Sequence, residues 1–459
     1  MKGAVINLRN KTVCATFFHA PQCGVVEVLS AALVGIGGDG RITRVLNQSD
    51  VTYAAERKRL GDAGSLVILP SGTYVLPGLV DLHIHAPQYP QLGVALDAPL
   101  EQWLHKYTFP LEARYADLSF AHRAYSTLLD DIAANGTTTA VMFATVHLEA
   151  TQLLADLAIA KGIRALVGKV VMDDPKANPD YYRDPSTKDA VDATRMLIDY
   201  IHHHPGNTKR RVLPVITPRF IPSCTDEGLR QLGQLAQETQ CHVQTHCSES
   251  DWEHGHVLQR HGVTDTASLD SFGLLTRRTI LAHANMISDA DMDRIRTRGA
   301  GVAHCPLSNA YFSNAVFPLR AALEKGVNIG LGTDISGGPS ASIFDNMRMC
   351  VASSRMLDDG VDPALRPDNR GRANSQVDWK VAFHLATAGG AKVLDIGTGS
   401  FAVDKHFDAI VIDTACPQGT VRLIGDNLPH EDILARIVYT ASKPNITATI
   451  VGGRGVTGT

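Results

Sequence analysis

The feature that most constrains this chain is an alternation. Between residues 79 and 334, eight short apolar runs of β character recur, each followed by a helical or long connecting stretch. They are LVDLHIH (79–85), TTAVMFA (138–144), IRALVGKVV (163–171), RVLPVITP (211–218), CHVQTH (241–246), TILAHA (279–284), GVAHCP (301–306) and VNIGLGTD (327–334). Runs this apolar and this short suit strands buried on both faces. Strands interleaved with helices favour a parallel sheet, because a parallel pair needs a crossover of a dozen or more residues. Eight of them is the arithmetic of a (β/α)8 barrel, whose functional residues collect at the C-terminal strand ends. The stretches after the first and third runs exceed a simple crossover and are expected to form lids over that face.

The two ends of the chain read differently. Residues 1 to about 75 read as short strands separated by turns, with VEVLSAALVGIGGDGRITRVL (26–46) a strand pair about a Gly-Gly-Asp-Gly turn and helical text near 50–62. From about 400, FAVDKHFDAIVID and ATIVGGRG return to strand. The expected fold class is therefore α/β: a TIM-like (β/α)8 barrel over 76–398, with a small β-sandwich-like domain built from both termini, 1–75 and 399–459. A length of 459 residues suits one large domain and a smaller companion.

Composition removes several function classes. Lys plus Arg total 43 against 47 Asp plus Glu, so no basic excess exists to attract a nucleic-acid polymer. No apolar run reaches the roughly 18 residues of a membrane span. MKGAVINL meets Arg9 and Lys11 too early for a secretory signal. The 8 cysteines stand singly, with no CxxC pair, as expected of reduced thiols in a cytoplasmic protein.

The candidate chemistry lies at the strand ends. His83 and His85 are two apart, so on a regular strand both imidazoles share a face and can converge on one metal. A solvated strand end explains the same pair. His246-Cys-Ser-Glu249 places a possible ligand three residues from a carboxylate, the pairing hydrolytic metal chemistry needs; a core histidine before a capping glutamate reads the same way. His283 and Asp334 each terminate an apolar run, and Asp334 alone would serve as a helix cap. Jointly, these groups at the ends of four runs point to a site, since an unpartnered buried carboxylate is costly.

Other signals are weaker. Gly35-x-Gly37-x-x-Gly40 matches a dinucleotide pattern, but RITRV follows it as strand, so no phosphate-binding helix opens there. His147-Leu-Glu149 lacks the PCxxC of zinc deaminases that carry HxE. His202-His203-His204 is expected in an exposed polar loop, and Glu253-His254-Gly-His256 on a helix or loop near the site.

On these residues the chain resembles the amidohydrolase superfamily, in which HxH, His, His and Asp occur in this order on a barrel with a split β-domain. PGLVDLHIHAPQYPQLG, LDAPLEQWLHKYTFPLEARYAD, TPRFIPSC, THCSE, LAHANMIS and GTDISGG are similar to the blocks of its guanine deaminase family. The resemblance spans about residues 75–395. It implies that His83, His85, His246 and Asp334 hold the metal, that Glu249 is the general acid/base, and that His283 stands beside the attacking water. It implies purine contacts from Gln88, Arg219 and Phe220, in a pocket that His85, His246 and Asp334 also border, and Trp103 is expected either to close that pocket or to pack the lid. Cys247 and Ser250 depart most from the family's block around Glu249. No lysine stands where a carboxylated bridge between two metals would need it, so one Zn²⁺ per subunit is implied, with Fe²⁺ the alternative of the same ligand type.

The implied reaction is hydrolytic deamination of guanine to xanthine and ammonia by a homodimeric cytoplasmic enzyme. Its rivals are an amidohydrolase acting on an 8-oxopurine, pterin or triazine, and an inactive barrel serving as a scaffold. The scaffold reading predicts loss of a ligand or of the acid, and all are present.

Overall fold

The computed structural model describes residues 6–313, 315–425 and 427–457, so the first five residues of the N-terminal block lie outside it. That block supplies β1 (Lys11–Gln22), β2 (Val25–Ile36), β3 (Ile42–Leu46), β4 (Leu66–Ile68) and β5 (Thr73–Pro77). β1 and β2 are 12 residues each, longer than the short strands expected. Two register shifts in their antiparallel ladder let so long a pair bend without parting. The glycine triplet lies at the β2–β3 hairpin, as expected. Gly40, at φ +89°, sits where a Cβ would strike the Gly452 backbone at 2.2 Å.

The barrel follows with β6 (Leu79–His85), β7 (Thr137–Phe143), β8 (Arg164–Gly168), β9 (Val170–Val171), β10 (Val212–Pro218), β11 (His242–Cys247), β12 (Thr279–His283), β13 (Gly301–His304) and β14 (Asn328–Leu331). All eight expected runs contain strands, the third broken into β8 and β9 after Gly168. The ladder is parallel throughout in the order β6-β7-β8-β10-β11-β12-β13-β14, with β9 on β10. The circle closes where Asp334 N donates to the His83 carbonyl and His85 N to that of Ile335, both at 2.8 Å. Val80, Leu82, Val141, Leu166, Val215, Ile280 and Ala303 pack in one interior cluster.

The chain ends with β15 (Ala409–Asp413), β16 (Ile446–Val451) and β17 (Arg454–Gly455). Both termini interleave in a single mixed sheet, β17-β16-β15-β5-β1-β2-β3 with β4 on β1. The small β-domain is thus one continuous sheet, and its apolar cluster joins Phe17 and Val34 from one terminus to Phe407 and Ile450 from the other. Only AIVID of FAVDKHFDAIVID is strand. A buried Arg164–Asp408 pair at 2.9 Å ties the base of β8 to this sheet.

The long connections behave as expected. The segment after β6 carries short helical turns from Ala86 to Ala116, and Trp103, Leu104 and Phe109 pack there with Tyr182 of the connection after β9. One loop reading needs correction: His202 and His203 end the helix Thr187–His203 and only His204 lies beyond it, because the amphipathic pattern runs on to Ile201. His202 and His203 are exposed.

Candidate metal and catalytic centre

A bulge builds the first part of the site. Leu82 packs inside the barrel while Ile84, two residues on, packs against the outer helices. Strict alternation would put both on one face, so the register shift between Asp81 and Ile84 reverses the alternation. The reversal turns His83 and His85 inward, their ring centroids 5.0 Å apart. His246, near the end of β11, lies 4.9 Å from each of these rings, and His283, at the end of β12, stacks on it at 5.5 Å. Asp334 follows β14 at φ +50°, and its Oδ1 lies 3.1 Å from His83 Nε2 and 3.8 Å from His85 Nε2. Ser248, His283 and Ala284 also have positive φ. Non-glycine residues held there store strain, which clusters at functional sites.

The backbone behind Asp334 is held by Asp81. Its Oδ1 accepts the Thr333 N–H at 2.9 Å and the His83 N–H at 3.2 Å. Burial is the main force pushing its carboxyl up to about 7. Asp334 itself resists burial because His83 and His283 face it, and stays down at about 2. Burial, with the neighbouring rings adding, keeps His85 and His246 well below the ordinary imidazole value, and burial keeps His83 below it too. Neutral imidazoles around an ionised carboxylate are the donor set a divalent cation needs.

The geometry passes further tests of that fit. His83 Nε2 and His283 Nε2 are buried without a hydrogen-bond partner. His246 Nδ1 lies 2.6 Å from the Arg219 carbonyl, so its N–H donates there and Nε2 carries a lone pair. That Nε2 faces His85 Nε2 at 2.9 Å. Two nitrogens on one cation at about 2.0–2.1 Å, subtending a right angle, are separated by about 2.9 Å. Ligand atoms converge in three overlapping groups: His83, His85 and Asp334; His83, His246 and His283; and Glu249, His283 and Asp334. His83 and Asp334 link them, so the four expected ligands fall in overlapping groups and not in one closed quartet.

Glu249 stands at the rim, its Oε1 3.6 Å from His283 Nε2. Burial, with Asp334 adding to it, raises its carboxyl while His283 and Arg219 oppose the rise. Its backbone N–H donates to Glu253 Oε2 at 2.7 Å, and Glu253 lies on the helix Asp251–His261, as expected for that motif. His283 Nδ1 is 2.9 Å from Asn309 Oδ1, Asn309 Nδ2 donates to Asn285 Oδ1 at 2.7 Å, and Asn285 Nδ2 donates to the Glu249 carbonyl at 2.9 Å.

A narrow cavity of about 30 Å³ adjoins this centre, lined by Gln88, Trp103, Leu104, Arg219, Phe220 and Phe312 beside His85, His246, Glu249 and Asp334. Every expected site residue but His83 and His283 lines it, and those two lie directly behind. Gln88 Nε2 donates to Glu112 Oε1 at 2.8 Å, and Gln88 Oε1 accepts the Ser336 N–H at 3.2 Å. Arg219 is ion-paired to Glu112 at 2.6 Å and lies over the Phe109 ring. Burial works against its charge, and Glu112 overcomes that burial. The pairing engages two of the five guanidinium N–H groups and a contact to Met172 Sδ at 3.7 Å a third, leaving two. Arg219 is thus both ion-paired and part of the slot wall. Trp103 packs on Phe312 at 5.0 Å with its indole N–H on the Val94 carbonyl.

Sequence reasoning missed Glu112, Asn309, Asn285, Phe312 and Gly337. Glu112 lies within the LEARYAD block, so its signal was present but its partner was not. At Gly337 a Cβ would come within 2.7 Å of Asp334 Oδ2, which is why that position carries none.

The family model that matches, over residues 74–456, is described as the amidohydrolase family. The guanine deaminase of Dictyostelium discoideum is 35% identical over 452 residues, covering 95% of this chain and 96% of that protein. That of Homo sapiens is 34% identical over 448 residues, covering 96% and 95%. A solved structure of guanine deaminase from C. acetobutylicum, with guanine bound in its active site, matches with a TM-score of 0.85 at 28% identity, covering 97% of this chain and 99% of that one.

Proposed function

This chain belongs to the amidohydrolase family, and from that premise we propose that it is a guanine deaminase, a hydrolase of cyclic C–N bonds that converts guanine and water to xanthine and ammonia. The observation that carries the reading is the convergence of the four ligand candidates with Glu249 and His283 beside a slot lined by Gln88, Arg219 and Phe220. Relatives that share the activity cover nearly the whole chain.

In this reading His83, His85, His246 and Asp334 would hold one divalent cation, Zn²⁺ by ligand type, which when bound would make water a better nucleophile near neutral pH. Glu249 delivers a proton to the purine ring nitrogen next to the carbon under attack, which breaks aromaticity and makes that carbon electrophilic. Burial raises the Glu249 carboxyl, which shifts the balance toward the protonated form that such a donor needs. Asp334 accepts the nucleophile's remaining proton, and His283 Nε2 orients the attacking oxygen. Transfer of a proton to the exocyclic amine releases ammonia.

Arg219, held in the slot by Glu112, presents its remaining N–H groups to the carbonyl oxygen of guanine. Adenine carries an amine there, and facing donors left unpaired cost about 1–3 kcal/mol. Phe220 packs on the purine, a contact worth about 1 kcal/mol beyond burial. Among the described residues no helix is long and apolar enough to cross a membrane. By analogy with the family, the enzyme works as a cytoplasmic homodimer.

The test is ammonia release from guanine, with adenine and cytosine alongside, while xanthine is followed by its ultraviolet spectrum. Guanine alone is expected to yield ammonia and xanthine in equal amounts, and a chelator to stop both. Glu249→Gln should lower turnover at least 100-fold with metal content and fold unchanged. Wild-type turnover by that variant would remove Glu249 from its role. No turnover by folded, metal-replete protein would overturn the substrate, leaving pterins, triazines and 8-oxopurines to be screened.

A further inference from the structure

We propose that the cavity between the base of the barrel and the small sheet is a second, non-catalytic site for an anion carrying several phosphate groups. The cavity measures about 500 Å³, and the cationic residues at its wall are Arg9, Lys161, Lys209, Arg211 and Arg454. They arrive from separate parts of the chain: the stretch before β1, the connections into β8 and β10, and the β16–β17 hairpin. β8 and β10 begin here, whereas Arg219 follows the far end of β10, so this cavity and the catalytic slot lie at opposite ends of the barrel.

Among the described residues no acidic side chain lines the cavity. Lys161 is paired with Asp130, but among the described residues the other four cations make no ion pair. Asp39 and Asp408 oppose the charge from a distance, but Asp39 accepts the Arg41 N–H and Asp408 holds Arg164 and the Gly452 N–H, so neither pairs with these cations. Arg9 Nε donates to the Gly452 carbonyl, while among the described residues its buried Nη2 has no partner. Burial, reinforced by neighbouring cations, lowers the pKa of Arg9, Lys209 and Arg211. Uncompensated like charges at one wall destabilise the fold until an anion enters.

Size and surface narrow the ligand class. The volume falls in the range of small-molecule sites and exceeds what one phosphate fills. Four cations match the charge of a di- or triphosphate, and guanidinium groups bind phosphate oxygens in a fork. Ile159, Ile163 and Val456 add an apolar wall that can carry a base. A nucleoside polyphosphate and an inorganic polyphosphate share this chemistry.

The experiment is calorimetric titration of the intact protein with tripolyphosphate, ATP and orthophosphate at one fixed ionic strength, which holds nonspecific screening constant. Saturable binding of tripolyphosphate and ATP, at least tenfold tighter than orthophosphate, is expected. ATP tighter than tripolyphosphate assigns a nucleotide on the apolar wall, and equal affinity assigns the phosphate chain alone. The paired substitution Lys209→Ala and Arg454→Ala removes two exposed cations. It should weaken binding at least tenfold, with guanine turnover unchanged and the anion-free Tm no lower than that of the wild type. No saturable binding, no preference over orthophosphate, or equal binding by the double variant would overturn the proposal.

Discussion

At His283 the direction of one proton decides what the ring can do. Asn285 spends its N–H groups on the Glu249 carbonyl and Ser313, so its oxygen accepts from Asn309. Asn309 must then offer its oxygen to His283 Nδ1, which fixes the proton there and leaves Nε2 bare toward Glu249 and Asp334. Asn309→Leu is expected to lower kcat about 10–100-fold with KM little changed, and to shift the His283 tautomer in ¹⁵N spectra. An unaltered tautomer would deny Asn309 this positioning role. Glu112 acts on Arg219 in a comparable way. Glu112→Gln leaves a buried guanidinium without its counter-charge and should cost about 3–5 kcal/mol in urea denaturation. A loss below about 1 kcal/mol would mean that Arg219 does not depend on this pair. Neither residue was legible from spacing, because a neutral amide in PLSNAYF and a glutamate in a helical block have no pattern until their partners are known.

Among the elements, the turn Leu100–Trp103 after β6 forms part of the wall of the slot, where Leu100 and Trp103 line a cavity of about 30 Å³ together with the centre's own residues. Trp103→Ala is expected to raise KM for guanine about tenfold, the loss of a contact worth about 1.4 kcal/mol, with a smaller change in kcat. An unchanged KM would make Trp103 a packing residue only. Strands were legible because apolar runs bounded by polar text have few other uses. The bulge in β6 was not. LVDLHIH reads as regular alternation, and only the opposite destinations of Leu82 and Ile84 show that the alternation reverses before the histidines.

Across the whole molecule, buried histidines away from the centre tie stability to pH. Burial holds His242 down to about 4 despite its bond to the Leu394 carbonyl, and holds His304 down to about 3. Unfolded, each titrates near the ordinary value of 6.5. Between these values the unfolded chain binds more protons, so the contribution of these two rings is level above about pH 6.5 and falls as pH drops toward 4, while Asp81, raised to about 7, contributes with the opposite sign. His242 alone contributes on the order of 3 kcal/mol to that fall. The difference in urea stability between the wild type and His242→Gln, followed from pH 7 to pH 4, should trace it, the wild type losing ground as pH falls. A difference that stays level to pH 4 would mean that the His242 ring stays solvated. At this scale the mixed sheet was legible only as strand-like text at both ends; pairing β15 with β5 joins residues more than three hundred positions apart, for which no local pattern exists.

The amino-acid sequence by itself determined the barrel, the split β-domain and the candidate centre, because each rests on local regularities: apolar runs at intervals, and metal-compatible side chains at their ends. The family resemblance it carried was shown by the relatives that cover the chain. Tertiary structure alone decided which groups face one another. It set Glu112 under Arg219, strung two asparagines between His283 and Glu249, and gathered five cations from four parts of the chain around one cavity. The physical reason is range. Backbone propensity and hydrophobic periodicity act within a few residues, whereas charge pairing and hydrogen-bond direction depend on distances that exist only once the chain has closed on itself.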